Sequence, residues 1–431
     1  MAVSAPALRS PLCVDLDGSV IRTDLLDESL LLLIKQNVLY LFMALWWLSH
    51  GRARLQAEIA ARVRINPAAL PYNEPVVEWL RGERDGGREI WLCTAADEDL
   101  AYSVADYLGV FGAVVVDPDP ALHPVASQVP ELPSFRFAGS SRLGAALRAL
   151  RPHQWAKNVL IFIPLLAAHR AGDARAVLDA GLAFVAFSLC ASSVYLLNDM
   201  LDLQADRQHV RKSKRPFASG ELQLRTGFVL APVLLIAAAM VAAFLPSEFQ
   251  LVLVGYYVLT LAYSLALKGI VMVDTTTLAG LYTVRIVAGA ATDAIALSFW
   301  LLLFSGFFFL SLAFVKRYAE LDAVRRQHRR DASGRGYRVE DLSLLEGLGI
   351  AAGYISVLVL ALYINSPAIT AMYRHPHLIW PLCALVLYWM SRIWMKTHRG
   401  RMHDDPVIFA LRDRVSLGVG MLAALTIYLA I

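Results

Sequence analysis

The sequence predicts an all-α, multi-pass membrane protein with about nine transmembrane helices, preceded by a small α/β soluble domain. Of the 431 residues, 57% are hydrophobic and 18% are charged, below the usual charged share of about 25%. The shortage of charge is concentrated after about residue 157, where apolar runs of about twenty residues recur, the length that crosses a bilayer. In the first 150 residues, short apolar strands alternate with helices, as in a soluble α/β domain.

Cysteine use and net charge limit the class of protein further. The four cysteines (Cys13, Cys93, Cys190 and Cys383) are far apart and lie in apolar runs, so we expect buried free thiols in a reducing compartment. The first fifteen residues lack the basic and apolar regions of a signal peptide. The net charge is +4, and no nucleic-acid partner is predicted.

The soluble domain is expected to form a parallel sheet. A helix is predicted over 98–108, and the strands are predicted at 11–16, 89–93 and 113–116. Because sites in parallel sheets lie at the carboxyl ends of the strands, Asp15, Asp17 and Thr94 are expected to converge.

The run Asp15-Leu16-Asp17-Gly18-Ser19, with Thr94 at a second strand end, resembles the haloacid dehalogenase phosphatase superfamily. The resemblance implies that Asp15 is the nucleophile that accepts the phosphoryl group and that Asp17 is a general acid/base. It also implies that Thr94 donates a hydrogen bond to the phosphate. The family's lysine is missing, because no lysine occurs between Thr94 and Lys157. We therefore favour a degenerate structural or regulatory domain over a working phosphatase, and keep the three residues as a candidate second site.

Residues 30–48 are strongly apolar. A transmembrane helix here would separate the first two strands of the sheet, so an interfacial, membrane-docking helix is the favoured interpretation. The predicted domains are a haloacid dehalogenase-like cytoplasmic domain over 1–135, a linker with an interfacial helix over 136–150, and a transmembrane domain over 151–431.

The connections between the predicted spans alternate between basic and nearly uncharged. Connections after the even-numbered spans carry most of the lysine and arginine, so the positive-inside rule puts them in the cytoplasm. The soluble domain then lies inside a bacterial inner membrane and the C-terminus outside. The nine predicted spans are about 157–172, 176–198, 225–245, 249–267, 273–291, 297–317, 343–364, 378–396 and 413–431.

Three carboxylates stand where the second predicted span ends. Asp199, Asp202 and Asp206 follow a spacing of three and four residues, which places them on one face of a helix. Ionisable groups at the mouth of a span are costly and usually functional, and carboxylates with substrate phosphates are the ligands that Mg²⁺ prefers. The motif therefore predicts a Mg²⁺–diphosphate site, with a basic run from Arg207 through Arg211 to Arg215 beside it.

Other candidate site residues fall on the same predicted cytoplasmic side. Lys157 and Asp274 are candidate catalytic residues alongside the three aspartates. The remaining candidates for substrate binding are Asn158, Asn198, Arg207, Arg211, Arg215, Tyr263, Lys268, Arg285, Lys316, Arg317 and Tyr318.

The cluster Asn198-Asp199-x-x-Asp202-x-x-x-Asp206, followed by Arg215-Pro216, resembles the first motif of the UbiA superfamily of intramembrane prenyltransferases. The resemblance covers 151–431 and implies a UbiA-like helical bundle in which this motif binds a donor diphosphate through Mg²⁺. The family's second aspartate motif is thin here, because only Asp274 stands near its position.

Within the superfamily, the run from Arg151 to Asn158 and the ending Lys316-Arg317-Tyr318-Ala319-Glu320 look most like the decaprenyl-phosphate phosphoribosyltransferases. That resemblance implies transfer of 5-phosphoribose from phosphoribosyl pyrophosphate to a polyprenyl phosphate. The alternatives are prenyl transfer to an aromatic or other acceptor and, as a minor one, a lipid or phosphate transporter or binding protein. Homo-oligomerisation is left open.

Overall fold

The computed structural model describes residues 11–37, 39–94, 96–116, 142–209, 212–327, 335–367, 373–402 and 405–431. The chain divides into two compact units, Met1–Arg151 with Tyr195–Val233, and Pro152–Val194 with Leu234–Ile431. The predicted boundary near residue 150 lies beside this division. The grouping of residues 195–233 with the N-terminal region was not predicted from the sequence.

The first unit contains a three-stranded parallel sheet in the order β1-β2-β3, formed by Leu12–Asp15, Ile90–Thr94 and Ala113–Val116. Its register pairs Asp15 with Cys93, so the predicted strands and their parallel arrangement are confirmed. Parallel neighbours need crossovers, which the intervening helices supply: α1 Leu25–Gln36, α2 Tyr40–Ser49, α3 Arg52–Ala60, α4 Glu74–Asp85 and α5 Glu98–Leu108.

Local signals explain how these helices begin and end. The Asp24 carboxylate accepts hydrogen bonds from the first backbone amides of α1, and Asp97 caps α5 in the same way, which satisfies amides that lack partners within a helix. Gly109 ends α5 with φ of 60°, a left-handed conformation that favours glycine. The helix predicted at 98–108 is confirmed.

The cysteines differ from the expectation of four free thiols. Cys13 of β1 and Cys93 of β2 form a disulfide, whereas Cys190 and Cys383 are free. Sequence spacing gave no sign of the disulfide, because the two residues are 80 positions apart and meet only once the sheet is formed.

Long helices make up the rest of the chain. After α6 Arg142–Leu150, a 3-10 segment covers Pro152–Phe162. The remaining helices are α7 Ile163–Ala167, α8 Ala174–Leu201, α9 Leu203–Arg207, α10 Leu224–Ala242, α11 Ser247–Leu265, α12 Val273–Ala291, α13 Phe299–Arg326, α14 Leu342–Ile364, α15 Pro381–His398, α16 Pro406–Arg412 and α17 Arg414–Ala430.

The count of nine spans is not confirmed. Six helices in the described part of the chain are long and apolar enough to cross a membrane, and they include α8, α10, α11 and α13. The span predicted at 157–172 is instead a 3-10 segment followed by the five-residue α7. A continuous α-helix over this segment is therefore not observed, and the predicted span stays unconfirmed.

Close packing in the second unit depends on glycine at one crossing. A Cβ atom added to Gly289 of α12 would lie 1.9 Å from the backbone oxygen of Ile161 in the 3-10 segment. On the same helix, Gly280 has no atom within 4 Å of such a Cβ. Small residues let helices in membranes approach closely.

We expect Gly289→Ala to destabilise the folded protein by about 1–3 kcal/mol, since the backbone of Ile161 has no easy way to move aside. Thermal unfolding in detergent, followed by fluorescence-detected size-exclusion chromatography, measures this. Gly280→Ala is the matched control and should keep the wild-type midpoint; equal shifts for both variants would contradict the packing argument.

Candidate functional site

The aspartate motif lies at the end of α8, within the first unit. Asp199 and Asp206 are only 2% and 1% exposed. The guanidinium of Arg215 contacts both carboxylates, and its Nη1 atom lies 3.0 Å from Asp199 Oδ1. Arg151 also pairs with Asp199. Because one arginine reaches both acids, Asp199 and Asp206 lie side by side, which is the arrangement that their spacing predicts.

The helix changes character at the middle aspartate. α8 ends at Leu201, and α9 begins at Leu203, with Asp202 between them. Helical hydrogen bonds nevertheless continue, from the Asp202 amide to the Asn198 oxygen at 2.9 Å and from the Asp206 amide to the Asp202 oxygen at 2.8 Å. The three aspartates therefore follow successive helical turns across a break in the helix.

The donor atoms of the motif suit a hard cation such as Mg²⁺. Asn198 Oδ1 and Asp199 Oδ2 are buried and have no hydrogen-bond partner among the described residues, an unusual state for buried polar atoms. Burial raises the pKa of Asp206, and the nearby Arg215 opposes that rise. Within the described ranges, no three His, Cys, Asp or Glu side chains form a ready-made metal site. Asp199, Asp202 and Asp206, with Asn198, are the residues that could hold the ion, and binding it would displace the arginine contacts to Asp199 and Asp206.

Arg207, predicted to bind substrate, is engaged within the first unit. Its guanidinium forms a two-pronged ion pair with Glu28 of α1, at 2.6 and 2.9 Å, and donates to the Ala69 carbonyl at 3.0 Å. The side chains of Arg207 and Glu28 are 7% and 3% exposed. Such a fork is among the stronger polar contacts in proteins. It ties the residue that follows Asp206 to the N-terminal domain.

A second arginine joins α1 to a later segment of the first unit. Arg225 at the start of α10 donates from Nε to both oxygens of Asp27, at 2.9 and 3.1 Å, and also pairs with Asp24. Arg211 lies outside the described residues. At least one residue of the basic run after the motif, Arg207, thus has a structural role, because it forms an ion pair with an acid of α1.

A cation pair in the second unit shares one carboxylate. Lys157 Nζ lies 2.7 Å from Asp405 Oδ2, Lys316 Nζ lies 3.5 Å from the same oxygen, and the Tyr282 hydroxyl donates to Asp405 at 2.9 Å. Burial alone raises the pKa of Asp405, but the two ammonium groups outweigh burial and hold it well below its usual range.

Asp405 was missed in the sequence analysis, which treated its surroundings as a basic connection. The available signal was the pair Asp405-Pro406, since Asp before Pro is typical of a helix start. The Asp405 side chain indeed caps α16.

Arg285 is buried inside the second unit. Its guanidinium donates to Asn158 Oδ1 at 2.8 Å and to the Tyr256 hydroxyl at 3.2 Å, and Asn158 donates in turn to Ser188 at 3.0 Å. The polar contacts that the described residues give Arg285 are thus with neutral groups. Because an isolated buried charge is costly, this cation is suited to an anionic ligand.

Asp274 and Arg317, both candidate site residues, form a fully buried ion pair. Arg317 lies 2.7 Å from Asp274, with both side chains 0% exposed. Arg335 and the Tyr263 hydroxyl also contact Asp274, at 3.1 and 2.8 Å. The Asp274 carboxylate is thus surrounded by hydrogen-bond donors. A substrate could contact it directly only if Arg317, Arg335 or Tyr263 moved away.

Two further candidates have different surroundings. Tyr318 is 3% exposed within the hydrophobic core of the second unit, and its hydroxyl lies 3.4 Å from His398 Nδ1. Lys268 lies in a 3-10 turn, Leu267–Gly269.

The candidate second site lies at the sheet edge of the first unit. Asp15 and Thr94 end neighbouring strands, and the Asp17 amide donates to Asp15 at 3.3 Å. Burial, together with Asp24 and Asp15, raises the pKa of Asp17 to about 7, against a hydrogen bond from the Leu25 amide. Asp17 also lines a cavity of about 630 Å³.

Comparison with known proteins places this fold and motif in a class of membrane enzymes. The sequence profile of the UbiA prenyltransferase family matches residues 159–412, more than half of the chain. The chain therefore belongs to the UbiA prenyltransferase family and is a multi-pass membrane protein.

Individual relatives refine the picture. The uncharacterized protein y4nM of Sinorhizobium fredii is 34% identical over 96% of this chain and 90% of its own length. Nodulation protein NoeC of Azorhizobium caulinodans is 36% identical over 62% of this chain and 87% of its length. The decaprenyl-phosphate phosphoribosyltransferase of Mycobacterium tuberculosis is 39% identical over 43% of this chain and 62% of its length. The first of these relatives spans nearly the whole chain, including the N-terminal region.

Solved structures support the fold alone. A UbiA homolog from Archaeoglobus fulgidus, determined with GPP and Mg²⁺, aligns with a TM-score of 0.50 and 15% identity over 66% of this chain and 97% of that chain. The resemblance to the haloacid dehalogenase superfamily stays a prediction.

We expect Glu28→Gln to loosen the aspartate motif, because Arg207 would keep a buried charge without its carboxylate, at a cost of about 3–5 kcal/mol. Hydrogen exchange of the backbone over residues 198–209 in detergent should speed up, with a lower unfolding midpoint.

Glu58→Gln provides the matched control. Glu58 pairs with Arg62 at 2.6 Å, but the two side chains are 28% and 34% exposed, and exposed pairs contribute about 0–1 kcal/mol. Unchanged exchange in Glu28→Gln, or the same change in both variants, would contradict a fastening role for the Arg207–Glu28 pair.

Proposed function

We propose that this protein transfers 5-phosphoribose from phosphoribosyl pyrophosphate to a polyprenyl phosphate in the membrane, and that it requires Mg²⁺. The reaction breaks the bond between C1 of ribose and the diphosphate oxygen, and forms a bond between C1 and a phosphate oxygen of the lipid. Diphosphate leaves. The partial similarity to decaprenyl-phosphate phosphoribosyltransferases supports this choice of substrates.

The observation that carries the proposal is a group of three cations in the second unit, Lys157, Lys316 and Arg285, that have few carboxylate partners; Lys157 and Arg285 are buried, and the Lys316 side chain is 32% exposed. Lys157 and Lys316 share the single carboxylate of Asp405, and Arg285 contacts neutral groups. Phosphoribosyl pyrophosphate brings a 5-phosphate in addition to its diphosphate, and the acceptor brings another phosphate. Cations with few acidic partners suit these extra anions.

Asp199, Asp202 and Asp206, with Asn198, are the proposed ligands for Mg²⁺ and the donor diphosphate. When bound, the metal would neutralise charge that develops on the departing diphosphate. Arg151 and Arg215 pair with these acids. When the diphosphate binds, these arginines are suited to pair with its negative charge. The acceptor phosphate is anionic at neutral pH, so the chain needs no strong general base to activate it.

Prenyl transfer to an aromatic or other acceptor is the alternative reaction. It is favoured less because the family resemblance assigns a second metal motif to this reaction, and the one acid near that position, Asp274, is enclosed by Arg317 and Arg335. A single aspartate falls short of the spaced acidic residues that this second motif contains. We place the soluble domain and the active site on the cytoplasmic side, in keeping with the basic connections.

We expect Asp199→Asn and Asp202→Asn each to lower turnover at least a hundredfold with phosphoribosyl pyrophosphate, polyprenyl phosphate and Mg²⁺ in detergent, since charge stabilisation of a leaving group often contributes about 10²–10³ in rate. Formation of lipid-linked phosphoribose, followed by mass spectrometry, is the measurement.

Asp179→Asn, on the same helix but outside the motif, serves as the control and should retain wild-type turnover. Full activity in both motif variants would remove Asp199 and Asp202 from the proposed site.

A second activity is supported by the sheet edge of the first unit, where Asp15 and Thr94 end neighbouring strands and Asp17 lines a cavity. We infer that any phosphatase activity of this domain would act on a phosphate monoester, and the 5-phosphate of the lipid-linked product is the natural candidate. The absence of a family lysine in the sequence after Thr94 weighs against it.

If the domain is a phosphatase, phosphate release from lipid-linked phosphoribose should be abolished by Asp15→Asn, which removes the nucleophile. Phosphate is measured with purified full-length protein, and Asp106→Asn on α5 is the control. Release that survives Asp15→Asn, or an absence of release from wild type, would exclude this activity.

A further inference from the structure

The helix α2 of the first unit presents an apolar surface that its own domain leaves open. Its sequence, Tyr-Leu-Phe-Met-Ala-Leu-Trp-Trp-Leu-Ser, contains no charged residue. Phe42 is 67% exposed and Leu45 is 59% exposed. The other large side chains on this exposed face, including the residue just before the helix, are Leu39, Leu41, Met43, Trp46 and Leu48.

The opposite face of α2 is firmly packed, so the helix is an ordered part of the domain. Ala44 and Trp47 are buried in a small core with Leu33, Leu55 and Ile59. The rings of Tyr40 and Trp47 also pack, with centroids 6.3 Å apart. Because only Ala44 and Trp47 are buried and Tyr40 is partly buried, packing within the domain explains only three of the ten residues of α2.

An exposed patch of seven large apolar side chains is unusual for a protein surface in water. Three kinds of occupant could cover it: lipid, a second copy of this chain, or another protein. The pattern favours lipid, because the exposed face carries no polar groups that would fix the register of a protein partner. Interfaces between proteins normally surround an apolar centre with a polar rim.

The length of α2 and its flanking charges fit a helix that lies at a membrane surface. Ten residues span about 15 Å, half of the roughly 30 Å hydrocarbon thickness, so α2 is too short to cross. Between residues 35 and 57 the sequence has three cations, Lys35, Arg52 and Arg54, and no acid. The Arg54 guanidinium lies over the Trp46 ring, 5.1 Å from its centroid. Paired basic and aromatic side chains are typical of the headgroup region.

We propose that α2 is a lipid-binding helix, whose exposed face enters the boundary between headgroups and acyl chains of the bilayer. Lys35, Arg52 and Arg54 contact anionic headgroups, and Phe42 and Leu45 reach the acyl chains. The proposal is independent of the transferred group. It gives the N-terminal domain a membrane contact of its own, in addition to its link to the aspartate motif through α1.

Photocrosslinking tests the occupant directly. Full-length protein carrying benzoylphenylalanine in place of Phe42 is placed in nanodiscs of phosphatidylglycerol and phosphatidylcholine, irradiated, and examined by mass spectrometry for phospholipid adducts. Tyr102, on α5 of the same domain and 52% exposed, is the negative control. Ile236 in the apolar helix α10 is the positive control.

We expect lipid adducts at positions 42 and 236 and none at 102. Adducts at 236 alone, or crosslinking of position 42 to a second copy or to the chain itself instead of to lipid, would overturn the proposal.

The charged flank is tested with the same probe. The yield of lipid adducts at position 42 should be several-fold higher with phosphatidylglycerol than with phosphatidylcholine alone. Arg52→Glu/Arg54→Glu should remove that difference while leaving the unfolding midpoint unchanged, since both residues are exposed. A yield that does not depend on headgroup charge in the wild type would exclude anionic headgroup recognition.

Discussion

The buried ion pair between Arg207 and Glu28 is the interaction on which the first unit depends most. It joins chain segments 179 positions apart, at a place where both side chains are almost inaccessible to water. Two buried charges are stable only as a pair, so the N-terminal domain and the stretch after the aspartate motif are ordered together. The sheet domain is thus joined directly, through α1, to the residue that follows Asp206.

Charge balance distinguishes the two units. In the first unit, the acids Asp199 and Asp206 are matched by Arg215 and Arg151. In the second unit, Lys157 and Lys316 share the single acid Asp405, whereas Arg317 and Arg335 contact two acids, Asp274 and Glu320. An arrangement with paired acids can accept a cation, and an arrangement with surplus cations can accept anions.

Local patterns in the sequence predicted local structure well. The three strands and α5 follow from apolar runs and capping residues, and the side-by-side placement of Asp199 and Asp206 follows from their spacing. The partners of Arg207 and Lys157 could not be predicted, because Glu28 and Asp405 are respectively 179 and 248 positions away in sequence. The hydrophobicity of 157–172 predicted a span, but composition could not show that the segment consists of a 3-10 helix followed by the short α7.

The most direct test of the account follows the fate of each phosphate in phosphoribosyl pyrophosphate. Wild-type protein in detergent receives polyprenyl phosphate, Mg²⁺ and donor labelled either at the 5-phosphate or at the diphosphate. The account predicts that the 5-phosphate label enters the lipid fraction and the diphosphate label stays in water as free diphosphate. If neither label enters lipid, while a polyprenyl diphosphate supplied with an aromatic acceptor is consumed, the chain is a prenyltransferase and the phosphoribosyl assignment is wrong.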